Sequence, residues 1–198
     1  MIPTSKKRLW KLLWQIRSCF NQGLDVRVTI ASTGEYPELL EQLAEEEKGK
    51  MRFITDAPTG LCGNAASKYA MENFEWGEWF YSIGDDDALL PWGLKHLWDN
   101  RHDVDMVIGR ALCVSKGQNL DLTQYRVGTV LACGRVSGVC TLFNFRKVEK
   151  LGMPYWNADS MVADWELIEK MAENYKYKII PETVCVLALA NVQGEKCE

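Results

Sequence analysis

The chain has 198 residues and a mass of 22.6 kDa, enough for one α/β domain and too short for two full catalytic domains. Its 47% hydrophobic, 25% charged and 11% aromatic residues exclude a disordered or collagen-like chain. The 23 basic and 27 acidic residues leave a formal net charge of −4, which argues against a nucleic-acid partner held by non-specific charge.

Leu9, Leu12, Leu13, Ile16 and Phe20 recur at helical spacing, so residues 6–20 read as an amphipathic helix. Lys7, Lys11 and Arg17 fall along one side of it, which reads as a solvated face, with a membrane or phosphate contact as the alternative. Val26, Val28 and Ile30 alternate as in a strand, which Ser32-Thr33-Gly34 ends. Residues 36–47 read as a second helix with Leu39, Leu40 and Leu43 inward. A short strand over 51–55, a loop over 56–60 and a third helix over 64–73 follow. The strand at 78–83 runs into Gly84-Asp85-Asp86-Asp87. Pro91 suits the first turn of a fourth helix, to about Asn100. Residues 104–108 read as another strand. Beyond it come strands near 127–132, 140–144 and 177–180, a helix over 161–175 and a last strand over 183–189.

Strand and helix alternate through residue 110, as in a parallel sheet covered on both faces. The remainder is mixed. No repeat or linker divides the chain. The expectation is a single domain, with residues 1–110 sized for a nucleotide and residues 111–198 for a second substrate.

Seven cysteines, an odd number with no Cys-x-x-Cys spacing, argue against a disulfide scaffold or a zinc site. Most sit in apolar runs, where a reduced thiol packs as a small core residue, and a reducing cytoplasm fits best. No run approaches the ~20 apolar residues of a transmembrane segment. The N-terminus lacks the apolar run of a signal peptide.

The triplet Asp85-Asp86-Asp87 carries the most chemical information. Three adjacent carboxylates repel one another unless something positive shares the site. They follow an apolar strand, so they stand at its carboxyl end, where open α/β sheets bind ligands. Carboxylate oxygens suit Mg²⁺ or Mn²⁺, which bridge to phosphate oxygens. The competing reading is a cap for the Pro91 helix, which needs one acid rather than three. His96 and His102 stand in no metal-ligand spacing and read as structural.

With these residues on the page, the sequence resembles a GT-A-fold glycosyltransferase, most like family 2 of inverting nucleotide-sugar transferases. The resemblance rests on five segments in order. They are Ile2-Pro3-Thr4, the stretch from Gly60 to Ala70 with Asn64, Ile83 to Pro91, Phe145 to Gly152, and Ala163-Asp164-Trp165-Glu166-Leu167. It implies an α/β fold with a mixed central sheet and helices on both faces. It implies that Asp86 and Asp87 hold a divalent metal, Mn²⁺ or Mg²⁺. It implies that Pro3, Thr4, Ser32, Asn64 and Asp85 lie near a nucleoside-diphosphate sugar, a UDP-sugar first. It implies that Asp164 is the general base for an acceptor hydroxyl, although an Asp there also suits the start of the helix through Tyr175.

The chain departs from the family pattern in four places. Little strand precedes Pro3, Ala31-Ser32-Thr33 replace the acids expected beside the base, Gly84 replaces the first acid of the acidic segment, and Asn191 stands where a histidine is usual. Trp92, Tyr155, Trp156 and Trp165 are aromatic candidates for stacking on a sugar, Trp156 and Trp165 first. The alternatives are a non-catalytic relative that binds nucleotide sugar or glycan, and a nucleotidyltransferase, for which Lys6-Lys7-Arg8 lacks a glycine-rich loop. The acceptor stays open.

Overall fold

The computed structural model of the chain describes residues 1–4, 9–32, 34, 37–58, 63–74, 76–85, 87–113, 126–127, 130–133, 136–152, 157, 159–160 and 162–187. Asp86, Tyr155, Trp156 and Asn191 lie outside them.

The first half forms β1 (Ile2–Pro3), α1 (Leu9–Phe20), β2 (Val28–Ala31), α2 (Pro37–Glu41), α3 (Glu45–Gly49), β3 (Met51–Ile54), α4 (Asn64–Asn73) and β4 (Trp79–Tyr81). β5 (Ala88–Leu89), α5 (Gly93–Asp99), β6 (Met106–Cys113) and β7 (Arg126–Val127) follow. After a 3₁₀ turn at Gly138–Cys140 come β8 (Thr141–Asn144), α6 (Phe145–Lys150), α7 (Ala163–Asn174) and β9 (Tyr177–Leu187).

β1, β2 and β3 form a parallel sheet in that order, with Ile2 opposite Ile30 and Ile30 opposite Phe53. The second sheet runs β4-β8-β6-β9-β5, with β7 on β6. The two meet at Met1: its backbone nitrogen donates to the Tyr81 carbonyl at 2.7 Å, and Ile83 N–H donates to the Met1 carbonyl at 3.1 Å. That is the bonding pattern of a parallel pair, so β4 continues the first sheet beside β1. The joined order through the first four strands is therefore β3-β2-β1-β4. Right-handed crossovers place α1 to α3 on one face and α4 on the other, because the chain reverses its direction across the sheet between β3 and β4.

The core explains these elements. Ile2, Ile30 and Ile54 are buried on β1 to β3, and Leu12 and Ile16 of α1 are buried as the helical spacing requires. In the second sheet Met106, Ile108 and Phe143 are fully buried, as is Leu97 of α5. Each such side chain contributes about 1.5–3 kcal/mol by leaving water. Trp76 packs edge to face on Phe80 with ring centroids 5.0 Å apart, Phe145 lies tilted against both, and the Arg52 guanidinium lies 4.9 Å from the Trp76 ring. This cluster fixes the start of β4 against α6.

Several elements differ from the sequence reading. The second helix is two: Glu47 reaches back to the Ala44 N–H at 2.9 Å and starts α3 anew. The strands expected at 177–180 and 183–189 are one, β9, bent by register shifts that accommodate Pro181 and Glu182. Of the strand expected at 127–132, Val127 lies in β7 (Arg126–Val127) and residues 130–132 lie in no strand, while that at 104–108 runs instead over Met106–Cys113. Lys11 is buried rather than solvated, while exposed Arg17 donates to the Gln42 carbonyl at 3.1 Å. Cys19, Cys140 and Cys185 are buried and in no disulfide, and Cys133 is exposed and in no disulfide. Among the described residues no helix is long and apolar enough to cross a membrane.

Candidate active site

The reversal between β1 and β4 opens a crevice at the carboxyl ends of the strands, the usual ligand position in such sheets. Thr4 leaves β1 on one side of it, its N–H donating to the Ala31 carbonyl at 3.0 Å. Asp85 leaves β4 on the other. The Thr4 hydroxyl donates to Asp85 Oδ2 at 2.5 Å, so the two sides are joined across the crevice. Asp85 is 8% exposed, a buried carboxylate with a donor supplied. Asp87 is half-buried in the same turn, where its N–H donates to the Gly84 carbonyl at 3.3 Å.

Asp85 and Asp87 do not stand at the start of α5. That helix starts at Gly93 behind Trp92 with no side-chain cap bond, and β5 stands between. Asp85 and Asp87 thus follow β4 at the switch point of the sheet. Among the described residues no three His, Cys, Asp or Glu side chains gather as a metal cage. Mg²⁺ and Mn²⁺ sites completed by substrate phosphates need only one or two carboxylates, and Asp85 and Asp87 are oxygen donors of that kind.

Pro3 and Asn64 meet through Gly63, which has φ +80, and a Cβ on Gly63 would stand 3.0 Å from the Pro3 Cβ. The Asn64 side-chain amide donates to the Ser160 carbonyl at 2.8 Å. Ser32 is buried after β2, and its hydroxyl turns to its own loop, donating to the Gly34 carbonyl at 2.6 Å.

Asp164 lies in the first turn of α7, whose N-cap is Val162 with no side-chain cap bond. Its carboxylate crosses to another segment. Ser137 Oγ and the Gly138 N–H each donate to Oδ2 at 2.9 Å, and the Trp165 N–H donates to Oδ1 at 2.9 Å. The carbonyl of Val139, in the same 3₁₀ turn, accepts from the Tyr81 hydroxyl and, at 3.1 Å, from the Cys185 thiol. Burial raises the Tyr81 hydroxyl well above its ordinary range and pushes the Cys140 thiol up to about 12.

Ser137, Gly138 and Tyr81 are the site residues the sequence reading did not single out. Tyr81 lies in the strand before the triplet, which was a usable signal. Ser137 and Gly138 form a small polar pair before an apolar strand, a pattern shared by many loops. Trp165 is half-buried and packs against the core. Trp92 is exposed with φ +66 and stands against Gly23, beyond the end of α1. His96 and His102 are exposed.

No protein-family model matches the chain, and no curated protein sequence does. Solved structures do. TarS 1–349 from S. aureus matches with a TM-score of 0.65 at 14% identity, over 93% of this chain and 58% of that one. The same protein in complex with UDP-GlcNAc matches at 0.62 and 14%, over 93% and 56%. The mannosyltransferase PcManGT from Pyrobaculum calidifontis, in complex with GDP-Man and Mn²⁺, matches at 0.65 and 19%, over 94% and 55%. The chain therefore spans little more than half of those chains. At these identities the likeness shows the fold: this chain has the mixed α/β GT-A fold.

Proposed function

We propose that the chain is a metal-dependent inverting glycosyltransferase that moves a sugar from a nucleoside-diphosphate sugar to an acceptor hydroxyl. The supporting observation is the Thr4–Asp85 bond, which sets an acidic segment at the switch point of the sheet. TarS and PcManGT, of the same fold, are seen with UDP-GlcNAc and GDP-Man, both nucleoside-diphosphate sugars. The sequence resemblance favours a UDP-sugar. Residues 1–110 hold the donor, with Pro3, Thr4, Ser32, Asn64 and Asp85 near the nucleotide. Residues 111–198 hold the acceptor in a reducing cytoplasm, in keeping with Cys19, Cys140 and Cys185, which are in no disulfide.

Asp86 and Asp87, with Asp85 beside them, offer hard oxygen ligands for Mn²⁺ or Mg²⁺. A divalent cation, when bound there, offsets the charge of the departing diphosphate. Asp164 receives the acceptor proton while the acceptor oxygen attacks the anomeric carbon from the face opposite the diphosphate. One displacement with one base inverts the anomeric centre.

The test is release of nucleoside diphosphate from UDP- and GDP-sugars in the presence of Mn²⁺. Asp86→Ala and chelation by EDTA each abolish it. Unchanged turnover in Asp86→Ala overturns the assignment. Donor binding by calorimetry with no release over long incubation makes the chain a binding module instead.

A further inference from the structure

Asp164 is held by a seat. The two donors from the 137–138 segment both meet Oδ2, and among the described contacts Oδ1 accepts only the neighbouring Trp165 N–H. A carboxylate oxygen accepts two hydrogen bonds, so Oδ2 is filled and Oδ1 keeps a lone pair. The seat is itself fixed. The Ser137 carbonyl accepts from the Thr141 hydroxyl at 2.9 Å, the Cys140 thiol at 3.1 Å and the Cys140 N–H at 3.2 Å. The Tyr81 hydroxyl holds the next carbonyl but one, that of Val139. Tyr81 stands four residues before Asp85, at most ~14 Å away along the chain. One turn therefore connects the carboxylate of α7 to the strand that delivers the acidic segment.

We infer that Ser137 is a positioning residue for glycosyl transfer: its hydroxyl, with the Gly138 amide, anchors Oδ2 of Asp164 and leaves Oδ1 as the oxygen that takes the acceptor proton. The inference rests on the proposed role of Asp164 as base. In that step the acceptor O–H bond breaks and its proton goes to Oδ1. The acceptor oxygen bonds to the anomeric carbon. The carbon–oxygen bond to the diphosphate breaks, and its electron pair leaves with the nucleotide. Ser137 gives up no proton. It restricts the carboxylate to one rotamer, and misplacement of a reacting group by about 1 Å costs on the order of 100-fold.

The experiment uses the full chain with a donor that it turns over and Mn²⁺. Ser137→Ala, Ser137→Thr and Asp164→Asn are compared by steady-state release of nucleoside diphosphate. Exchange of the Gly138 amide is followed by NMR in the wild type and in Asp164→Ala. In Ser137→Ala, kcat falls about 10- to 100-fold with the donor KM unchanged. Ser137→Thr, which keeps the hydroxyl, restores kcat close to wild type. Asp164→Asn abolishes turnover, and the Gly138 amide loses protection in Asp164→Ala. Wild-type kcat in Ser137→Ala beside a dead Asp164→Asn overturns the inference and leaves the glycosyltransferase reading standing. Loss that Ser137→Thr does not rescue, with a raised donor KM, marks a structural role only and also overturns it. Full activity in Asp164→Asn, or a wild type inert toward every donor, refutes the underlying reading itself.

Discussion

The side-chain amide of Asn64 donates to the carbonyl of Ser160 at 2.8 Å, across 96 residues of chain. The bond fastens the start of α4 to the turn before α7. Ser160 passes the tether on: its hydroxyl donates to Glu166 at 2.7 Å and accepts from the Val162 N–H at 3.2 Å. The helix that presents Asp164 is thus tied to the half of the chain that carries Asp85. Asn64→Ala removes one such bond and lowers stability by about 1 kcal/mol in urea unfolding. Asn64→Asp sets a carboxylate against a carbonyl, two acceptors face to face, and lowers it further. An Asp variant as stable as the Ala variant contradicts the tether.

Thr4 and Asp85 support a second prediction. Valine has the shape of threonine without its hydroxyl, so Thr4→Val takes one donor from a buried carboxylate. The cost is about 1–3 kcal/mol of stability. Thr4→Ser keeps the donor and loses only a methyl group, so it stays within about 1 kcal/mol of wild type. Thermal unfolding ranks the three proteins. Equal melting temperatures for Val and Ser variants rule out the bond as a stabilising contact.

The same two residues mark how far the sequence carried. The helix over 64–73 was legible because Ala66, Ala70 and Met71 set a buried stripe and no later signal competes. The helix over 36–47 was misread because Leu39 and Leu43 keep helical spacing straight through a break made by the Glu47–Ala44 contact. The strands expected at 177–180 and 183–189 run on as one through Pro181, which is exposed at a bulge, where a missing N–H costs little. Asp85 was legible as a site residue because like charges in a row demand a cause. Its partner Thr4 is 81 residues away and had only the family resemblance to mark it. The seat of Asp164 was not legible at all. Ser137 and Gly138 become special only when the fold brings α7 to them.

Burial of two thiols predicts how stability depends on pH. Cys19 is pushed up to about 11 and Cys140 to about 12, chiefly because burial disfavours the thiolate; the ordinary value is 9.0. Above pH 9 the unfolded chain releases these protons while the folded chain retains them. The folded state then binds more protons, so stability falls as pH rises. The contribution is complete below pH 9 and shrinks by about 1 kcal/mol per thiol between pH 8 and pH 10. Urea unfolding across that range measures the slope, and Cys140→Ser, which cannot titrate there, flattens it. A slope unchanged by that substitution is inconsistent with a buried neutral thiol.

Gly93 and Gly49 give opposite outcomes for one substitution. A Cβ on Gly93 would stand 2.1 Å from the Val184 carbonyl oxygen and 2.9 Å from its carbon, and both atoms are backbone. Val184 cannot rotate away. It lies in β9 where Thr183 and Cys185 are registered against β6, and the Leu90 N–H donates to that same carbonyl at 2.9 Å. Gly93→Ala therefore moves α5 off the sheet and costs at least about 2 kcal/mol. Gly49 ends α3, and a methyl group added there would meet nothing within 4 Å. Alanine at that position restricts the unfolded chain and suits the helix, so Gly49→Ala is neutral or gains up to about 1 kcal/mol. Chemical denaturation of both variants separates steric exclusion from general sensitivity to losing a glycine: two equal destabilisations would mean that the contact of Gly93 with β9 is not the cause.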